Sequence, residues 1–313
     1  MKTVALTGGT GFLGAHCVAA LKGRAKLRLL SRRPRPDGEG LEHVIGTLAD
    51  REALRTLVTG ADAVLHVAGA VKARDRDEFF MVNRDGTAEL LAAVADKAPQ
   101  ARIVHVSSLA ARVPGLSPYA ASKAAAEDLA HDAGAIILRP PGIYGPGDLE
   151  ILKLIRAAQK GILPVPGSRV HRVSLIHARD LARLIATLAL AETAPAGVHE
   201  VDDGQPRGYS YDELALLLGE ALGRRVRPLV VPRALLLAAG HAYGLTARLR
   251  GTADIFGPGK ARELLHPDWS IAASGSAVLA SLWTPETGFA EGIKEAILWA
   301  QSHGHLPNDA SES

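Results

Sequence analysis

At 313 residues, 47% of them hydrophobic, the chain has ample material for a sizeable core, as one large α/β domain or a domain with a smaller appendage. A formal net charge of +3 and an aromatic content of 4% leave no dense basic stripe with interleaved aromatics, which argues against nucleic-acid binding. The one cysteine, Cys17, excludes an intramolecular disulfide and a cysteine metal cluster.

The N-terminus, Met1 to Gly8, runs straight into a strand with no signal-peptide pattern, and no stretch approaches the roughly 18 continuous apolar residues of a spanning helix. A cytoplasmic protein is the expectation. Thr3–Leu6 reads as the first strand, followed by a helix from Phe12 to Leu21. Strands follow at Leu27–Leu30, His43–Ile45 and Ala63–Val67, with a helix over Ala53–Val58. A long helix is expected from Glu78 to Ala95, a fifth strand at Ile103–Val106, a helix carrying Tyr119, and a sixth strand at Ala135–Leu138. Strands alternating with helices predict a Rossmann-type, doubly wound parallel sheet with helices on both faces. Beyond Gly147 the alternation loosens. Helical patterns at Leu149–Gln159, Ala178–Ala191, Ser210–Leu222, Arg233–Gly244 and Glu291–Ser302 suggest a smaller α+β substrate lobe. The expected division is a nucleotide-binding core at 1–148, a lobe at 149–307 with some segments returning to the core, and a disordered tail at 308–313.

Three features carry chemistry. The first is the turn Thr7-Gly8-Gly9-Thr10-Gly11-Phe12-Leu13-Gly14, which follows a strand and opens a helix. Gly8 permits a tight turn, Gly11 a close backbone approach to phosphate, and Gly14 close helix–strand packing, while free N–H groups at the helix start can hold a pyrophosphate. The second is the end of the second strand, Leu29-Leu30-Ser31-Arg32-Arg33, where the acid that would bind a ribose 2′-hydroxyl is missing. Arg32 offers a planar fork to a 2′-phosphate and Ser31 a further hydrogen bond, which favours NADP over NAD as the cofactor.

The third is Tyr119 and Lys123, four residues apart on one predicted helix and therefore on one face. A phenol with a reference pKa of about 10 is a poor base at neutral pH, and a fixed cation beside it favours the phenolate. Ser117-Pro118 ahead of the tyrosine is a helix-start signal. Ser107 and Ser108 end the fifth strand, where a hydroxyl can hold the substrate oxygen beside the tyrosine. Asn83, an asparagine inside a helix, is expected to be buried beside the site, whereas His66 reads as a packed strand residue. The scattered histidines give no metal-ligand spacing.

In this combination the chain resembles the extended branch of the short-chain dehydrogenase/reductase superfamily, which includes nucleotide-sugar epimerases and dehydratases, 3β-hydroxysteroid dehydrogenases and dihydroflavonol-type reductases. The residues that carry the resemblance are the glycine turn, Ala68-Gly69, Asn83 with Gly86-Thr87, Ser107-Ser108, Tyr119-x-x-x-Lys123, Arg139-Pro140, and Ile176-His177 leading to Asp180. The resemblance implies a substrate oxygen oriented by Ser108, proton transfer by Tyr119, a Lys123 that tunes the tyrosine and holds the nicotinamide ribose, and Pro140, Gly142 and Ile143 facing the nicotinamide. Thr47 and Leu48 would lie near the adenine. It also implies a homodimer, for which Ala124, Ala125 and Leu129 supply apolar positions.

The substrate is less legible. Arg169 and Arg172 are the arginines nearest to a diphosphate site, but the lobe otherwise offers Leu235 to Ala239, Tyr243 and Leu245 as an apolar lining, with weak peripheral membrane contact through Arg248 and Arg250. The expectation is hydride transfer between the cofactor and an apolar or aromatic carbonyl or alcohol. A nucleotide-sugar epimerase or dehydratase with tightly held cofactor is the alternative, and a non-catalytic cofactor-binding scaffold the second.

Overall fold

In the computed structural model, which describes residues 1–250, 252, 256–272 and 277–307, a seven-stranded parallel sheet forms the centre of the molecule. Strands β1 (Thr3–Thr7), β2 (Lys26–Ser31), β3 (Leu41–Ile45), β4 (Ala63–His66), β5 (Arg102–Val106) and β6 (Ile136–Arg139) supply six of them. The seventh is Gly197–Glu200, which pairs with β6. Across the sheet the order is Gly197–Glu200, β6, β5, β4, β1, β2, β3, so the chain runs outward in both directions from the β1–β4 pair. Helices then cover both faces, because each right-handed crossover returns the chain to the same sheet. Val4, Leu6, Leu65 and Val104 are wholly buried, as expected for strands covered on two sides.

Helix α1 (Phe12–Leu21) packs beside Ala178–Leu190, a helix contributed by the second half of the chain. On the other face α2 (Arg51–Val58) packs against Gly86–Lys97. Asp50, in the loop after β3, caps α2 by accepting the Ala53 N–H at 3.1 Å.

The long helix expected over Glu78–Ala95 is interrupted. It comprises α3 (Arg76–Phe80), a π-helical turn at Met81–Asp85, and α4 (Gly86–Lys97). An extra residue per turn advances the register, and turns of this kind collect at functional sites. Here the turn holds Asn83, which is 2% exposed. Gly86 follows because a Cβ there would stand 2.9 Å from the Leu48 side chain. The next helix, α5 (Pro118–Asp132), begins as expected: the Ser117 hydroxyl accepts the Ala120 N–H at 2.9 Å, and Pro118 occupies the first helical position.

The second half builds a separate apolar cluster from Leu152, Ile155, Leu163, Leu214, Phe289 and Ile293. Its helix Tyr211–Ala221 starts on a reciprocal cap between Ser210 and Glu213. The helix predicted over Arg233–Gly244 extends to Arg250. Among the described residues no helix is long and apolar enough to cross a membrane. The tail from Asn308 onward and the Arg248 side chain lie outside the described residues.

Candidate active site

Six of the sequence motifs singled out above follow the carboxyl end of a sheet strand: the glycine turn after β1, Arg32 after β2, Thr47 and Leu48 after β3, Ala68 and Gly69 after β4, Ser107 and Ser108 after β5, Pro140 after β6. Ligands of open parallel sheets collect on this edge, where the strand order reverses. Thr10, Gly11, Arg32, Thr47, Gly69 and Gly142 are exposed along it, whereas Thr7, Leu13, Gly14, Ser31, Ser107 and Pro140 are buried beneath.

The glycine turn has the shape that a dinucleotide requires. Gly8 has φ +77°, and a Cβ there would meet the Ala68 nitrogen at 2.6 Å. A Cβ on Gly14 would lie 2.0 Å from the Gly8 carbonyl oxygen, so only glycine allows α1 to start this close to the strand. Gly11 caps α1 without a side chain, leaving the first-turn N–H groups of Phe12 and Leu13 to face an anion. These residues therefore fit a pyrophosphate. At the end of β2, Ser31 donates to the Arg33 carbonyl at 2.9 Å, while Arg32 makes no ion pair among the described residues. Asp37, the nearest acid, accepts the His43 N–H on β3 at 2.7 Å.

Beneath the turn lies a buried polar chain. Thr7 Oγ1 and His66 Nδ1 are 2.7 Å apart, and His66 Nε2 and Thr87 Oγ1 are 2.9 Å apart. Thr87 donates to the Asn83 carbonyl at 2.6 Å, so His66 donates from Nε2 and accepts from Thr7 at Nδ1. Burial holds this histidine neutral, its pKa pushed down to about 3. It is a packed strand residue, as the sequence suggests. Asn83 closes the chain. Its amide donates to the Ala70 carbonyl at 3.1 Å and to Ser122 at 2.9 Å, and its Oδ1 accepts the Ala70 N–H at 2.7 Å. That geometry fixes the Ala68-Gly69 loop against α5.

Tyr119 and Lys123 stand on α5 as the four-residue spacing requires. The lysine is 4% exposed and donates to the Val106 carbonyl at 2.8 Å. Desolvation pulls its pKa down to about 8, partly offset by Glu127. The tyrosine behaves differently from the expectation that Lys123 depresses it. Burial pushes it up to about 12; a hydrogen bond with Ser108 works the other way, and the Glu263 carboxylate adds to the rise. Desolvation therefore outweighs the Ser108 hydrogen bond in this state, and Tyr119 is a phenol. Phe79 packs on its ring edge-on, with centroids 5.9 Å apart.

Two acids in this region carry no signal in the sequence. Glu127 accepts from Ser107 and pairs with Arg139 at 2.6 Å, so the Ser107 hydroxyl is held inside the protein. Glu263, 5% exposed, bonds Ser117 at the start of α5 and pairs with Lys260 at 3.0 Å. Its helix, Pro258–Leu264, approaches α5 closely because Gly259 has no side chain; a Cβ there would stand 2.8 Å from the Ser117 Cβ. The Lys260-x-x-Glu263 spacing marks a helix face, but nothing in it says which element that face meets.

A cavity of about 600 Å³ opens between the sheet edge and the second half. Ser108, Tyr119 and Gly142 stand on one wall; Ile151, Leu154, Leu175, Leu214 and Phe289 stand on the other. The cations along it are engaged: Arg74 pairs with Glu78 at 3.1 Å, Lys260 with Glu263, and Arg76 lies 4.3 Å from the Phe80 ring centre. Arg169 and Arg172 do not line it. Arg169 pairs with Asp212 at 2.7 Å, and Arg172 donates to the carbonyls of Arg207 and Gly208. Leu235, Tyr243 and Leu245, expected in the lining, instead face outward at 60%, 59% and 60% exposure. Among the described residues no group of three or more His, Cys, Asp or Glu can hold a metal ion.

Comparison with known proteins adds to this geometry. A family model described as "NAD dependent epimerase/dehydratase family" matches residues 4–199. The chain is 41% identical to a ceramide reductase of Caulobacter vibrioides over 314 aligned positions, covering 98% of this chain and 96% of that protein. It is 32% identical to a 4-hydroxy-2-methyl-3-oxo-4-farnesyl-3,4-dihydroquinoline-1-oxide ketoreductase of Stigmatella aurantiaca, covering 64% and 68%. MoeE5, solved with UDP-glucuronic acid and NAD, shares the fold at a TM-score of 0.73 and 23% identity, covering 97% of this chain and 100% of that one.

Proposed function

The chain belongs to the NAD dependent epimerase/dehydratase family, and on that premise we propose that it reduces the ketone of a long-chain, apolar substrate with NAD(P)H. Nicotinamide-dependent oxidoreductase chemistry follows from the family and its reductase relatives. The observation that carries the finer reading is the cavity: it reaches Ser108 and Tyr119, its far wall is aliphatic and aromatic, and its cations are paired or stacked. A nucleotide diphosphate needs cations free to meet it, whereas an alkyl chain needs only water-free walls. The likeness to a ceramide reductase and to a farnesylated-quinoline ketoreductase supports the same substrate class.

The state of Tyr119 supports reduction as the favoured direction. A phenol held protonated is a competent general acid at neutral pH, able to pass its proton to the oxygen of a ketone as that oxygen gains charge. When bound, the reduced nicotinamide supplies a hydride to the carbonyl carbon. Ser108 holds the same oxygen by a hydrogen bond, and Lys123 holds positive charge beneath it. The Gly8–Gly14 turn would hold the pyrophosphate, and the Gly69 loop, pinned by Asn83, would meet the ribose.

Chain length tests the substrate class. A buried methylene is worth about 0.8 kcal/mol, so kcat/KM along a series of 3-oxo amides should climb roughly three- to fourfold per added methylene until the cavity is full. A flat series, or turnover of UDP-sugars with no dependence on an alkyl chain, sinks the proposal.

Arg32 is proposed to set a preference for NADP(H), being a cation at the end of β2 that has no acid partner among the described residues. Losing a charge-assisted bond to the 2′-phosphate should cost on the order of 1.5–3 kcal/mol. Fluorescence titration of Arg32→Ala should show NADPH bound at least tenfold more weakly, with NADH affinity unchanged. Equal NADPH affinity in the variant, or a wild type that prefers NADH, removes the assignment.

A homodimer through α4 and α5 is also proposed. Ala124, Ala125 and Leu129 are only half-buried in the single chain, and small residues permit close helix approach. Light scattering at micromolar concentration should give twice the chain mass, and Ala125→Arg should return the mass of one chain. A monomeric wild type contradicts it.

A further inference from the structure

Between Glu220 and Asp254 the sequence holds six arginines and not one aspartate or glutamate. This acid-free stretch contains the strand Arg227–Val231 and the helix Arg233–Arg250. One face of the helix is anchored. Leu236 is buried with Ala261 and Leu265, and a Cβ on Gly240 would lie 3.1 Å from the Ala261 Cβ. The other face is open to solvent and apolar. Leu235, Ala239 and Tyr243 follow at four-residue steps along it, all exposed, with Ala238, Ala242 and Leu245 alongside. Leu229 and Val230 on the neighbouring strand are 54% and 39% exposed. Arg225, Arg227, Arg233 and Arg250 are exposed too, and none forms a salt bridge among the described residues.

We infer that this face docks on the surface of an anionic phospholipid membrane. Exposed leucines and a tyrosine on a helix ringed by unpaired arginines match the two halves of a lipid interface, hydrocarbon below and phosphate at the level of the cations. An acid-free stretch of this length removes the repulsion that carboxylates would bring. A second copy of the chain is a poorer occupant, because a two-fold contact through this face would set arginine clusters against each other. The face also borders the cavity. Gly244, between Tyr243 and Leu245, lines it together with Pro258 and Leu264 of the adjoining helix. If the substrate is the apolar ketone proposed above, it can move from bilayer to cavity without crossing water. The docking itself rests on the surface alone.

Flotation of the full-length protein with vesicles of phosphatidylglycerol and phosphatidylcholine, against vesicles of phosphatidylcholine alone, tests the inference without substrate or turnover. The wild type should float with the anionic vesicles and not with the neutral ones, and added salt should release it. Each arginine at an anionic surface is worth about fivefold in partitioning, so Arg227→Gln with Arg233→Gln should lower binding more than tenfold. Leu235→Asn with Tyr243→Asn should do the same through the apolar half. Cofactor titration and the thermal midpoint of each double variant should match the wild type, since all four side chains are exposed. Absence of flotation, equal binding to neutral vesicles, or variants that bind like wild type overturns the inference. So does a wild-type dimer that Leu235→Asn with Tyr243→Asn converts to a monomer while vesicles capture neither. Because the assay contains no ketone, its failure would leave the substrate reading standing, and a failed chain-length series would leave this one standing.

Discussion

Tyr119→Phe is expected to lower kcat by about 10²–10⁴-fold, the usual worth of a positioned proton donor, while leaving cofactor affinity within a factor of about three. The reason is local. The tyrosine hydroxyl is bonded by Ser108, its ring is held by Phe79, and its pKa stands near 12 because burial, with the Glu263 carboxylate added, outweighs that hydrogen bond. Phenylalanine keeps the ring packing and the burial but has no proton to give. The fold should be undisturbed, since the variant gives up only a hydroxyl on the cavity wall and its bond to Ser108. Removing Glu263 probes the same group from the other side. The carboxylate raises Tyr119, so Glu263→Gln should move the ionisation of the free enzyme seen in kcat/KM to lower pH. Turnover by Tyr119→Phe within tenfold of wild type would mean that another group carries the proton.

Lys123→Met should cost both chemistry and cofactor. The ammonium is buried, donates to the Val106 carbonyl and lies beside the Gly69 loop, where a Cβ on Gly69 would be 3.6 Å from Nζ. Burial lowers its pKa to about 8. Below about pH 8 the ammonium is present and can donate to ribose hydroxyls; above it the amine is neutral and that interaction weakens. Wild-type NAD(P)H affinity should therefore fall as pH rises through about 8. Lys123→Met should bind the cofactor at least tenfold more weakly, with no inflection there. Stability moves in the opposite sense. The unfolded chain keeps this proton up to about pH 10.5, so between pH 8 and 10.5 it binds more protons than the folded chain, and wild-type stability gains relative to Lys123→Met as pH rises through that window. A titration of cofactor affinity against pH that is flat for the wild type contradicts this account of Lys123.

The core of the molecule is legible in the sequence because its signals are local. A strand, three glycines at fixed steps and a helix specify a dinucleotide turn wherever they occur, and Ser117-Pro118 announces the start of α5. The six main strands are readable for the same reason: buried parallel strands are short apolar runs between turn residues. What escapes is non-local. Gly197–Glu200 reads Gly-Val-His-Glu, which is no apolar run, and its place beside β6 is fixed by tertiary pairing. The π-helical turn at Met81–Asp85 leaves no mark on hydrophobic spacing, although Asn83 in a helix hints that something there needs an amide. Glu263 bears on Tyr119 only through the docking of Pro258–Leu264 on α5. The upward shift of the tyrosine escapes the sequence because the sequence displays the cation four residues on but not the burial. The leucine-rich run at Leu235 suggests a pocket lining because composition does not tell which face of a helix turns outward.

Hydride, in the proposed reaction, leaves the cofactor for good and enters an apolar ketone. Incubation of the purified protein with deuterium-labelled NADPH and a long-chain 3-oxo amide, followed by mass analysis of the alcohol, tests that most directly. The account predicts one deuterium on the carbinol carbon per cofactor oxidised, formed at least about 100-fold more slowly by Tyr119→Phe. Interconversion of UDP-sugars without net cofactor oxidation, with the oxo amide left untouched, would contradict it.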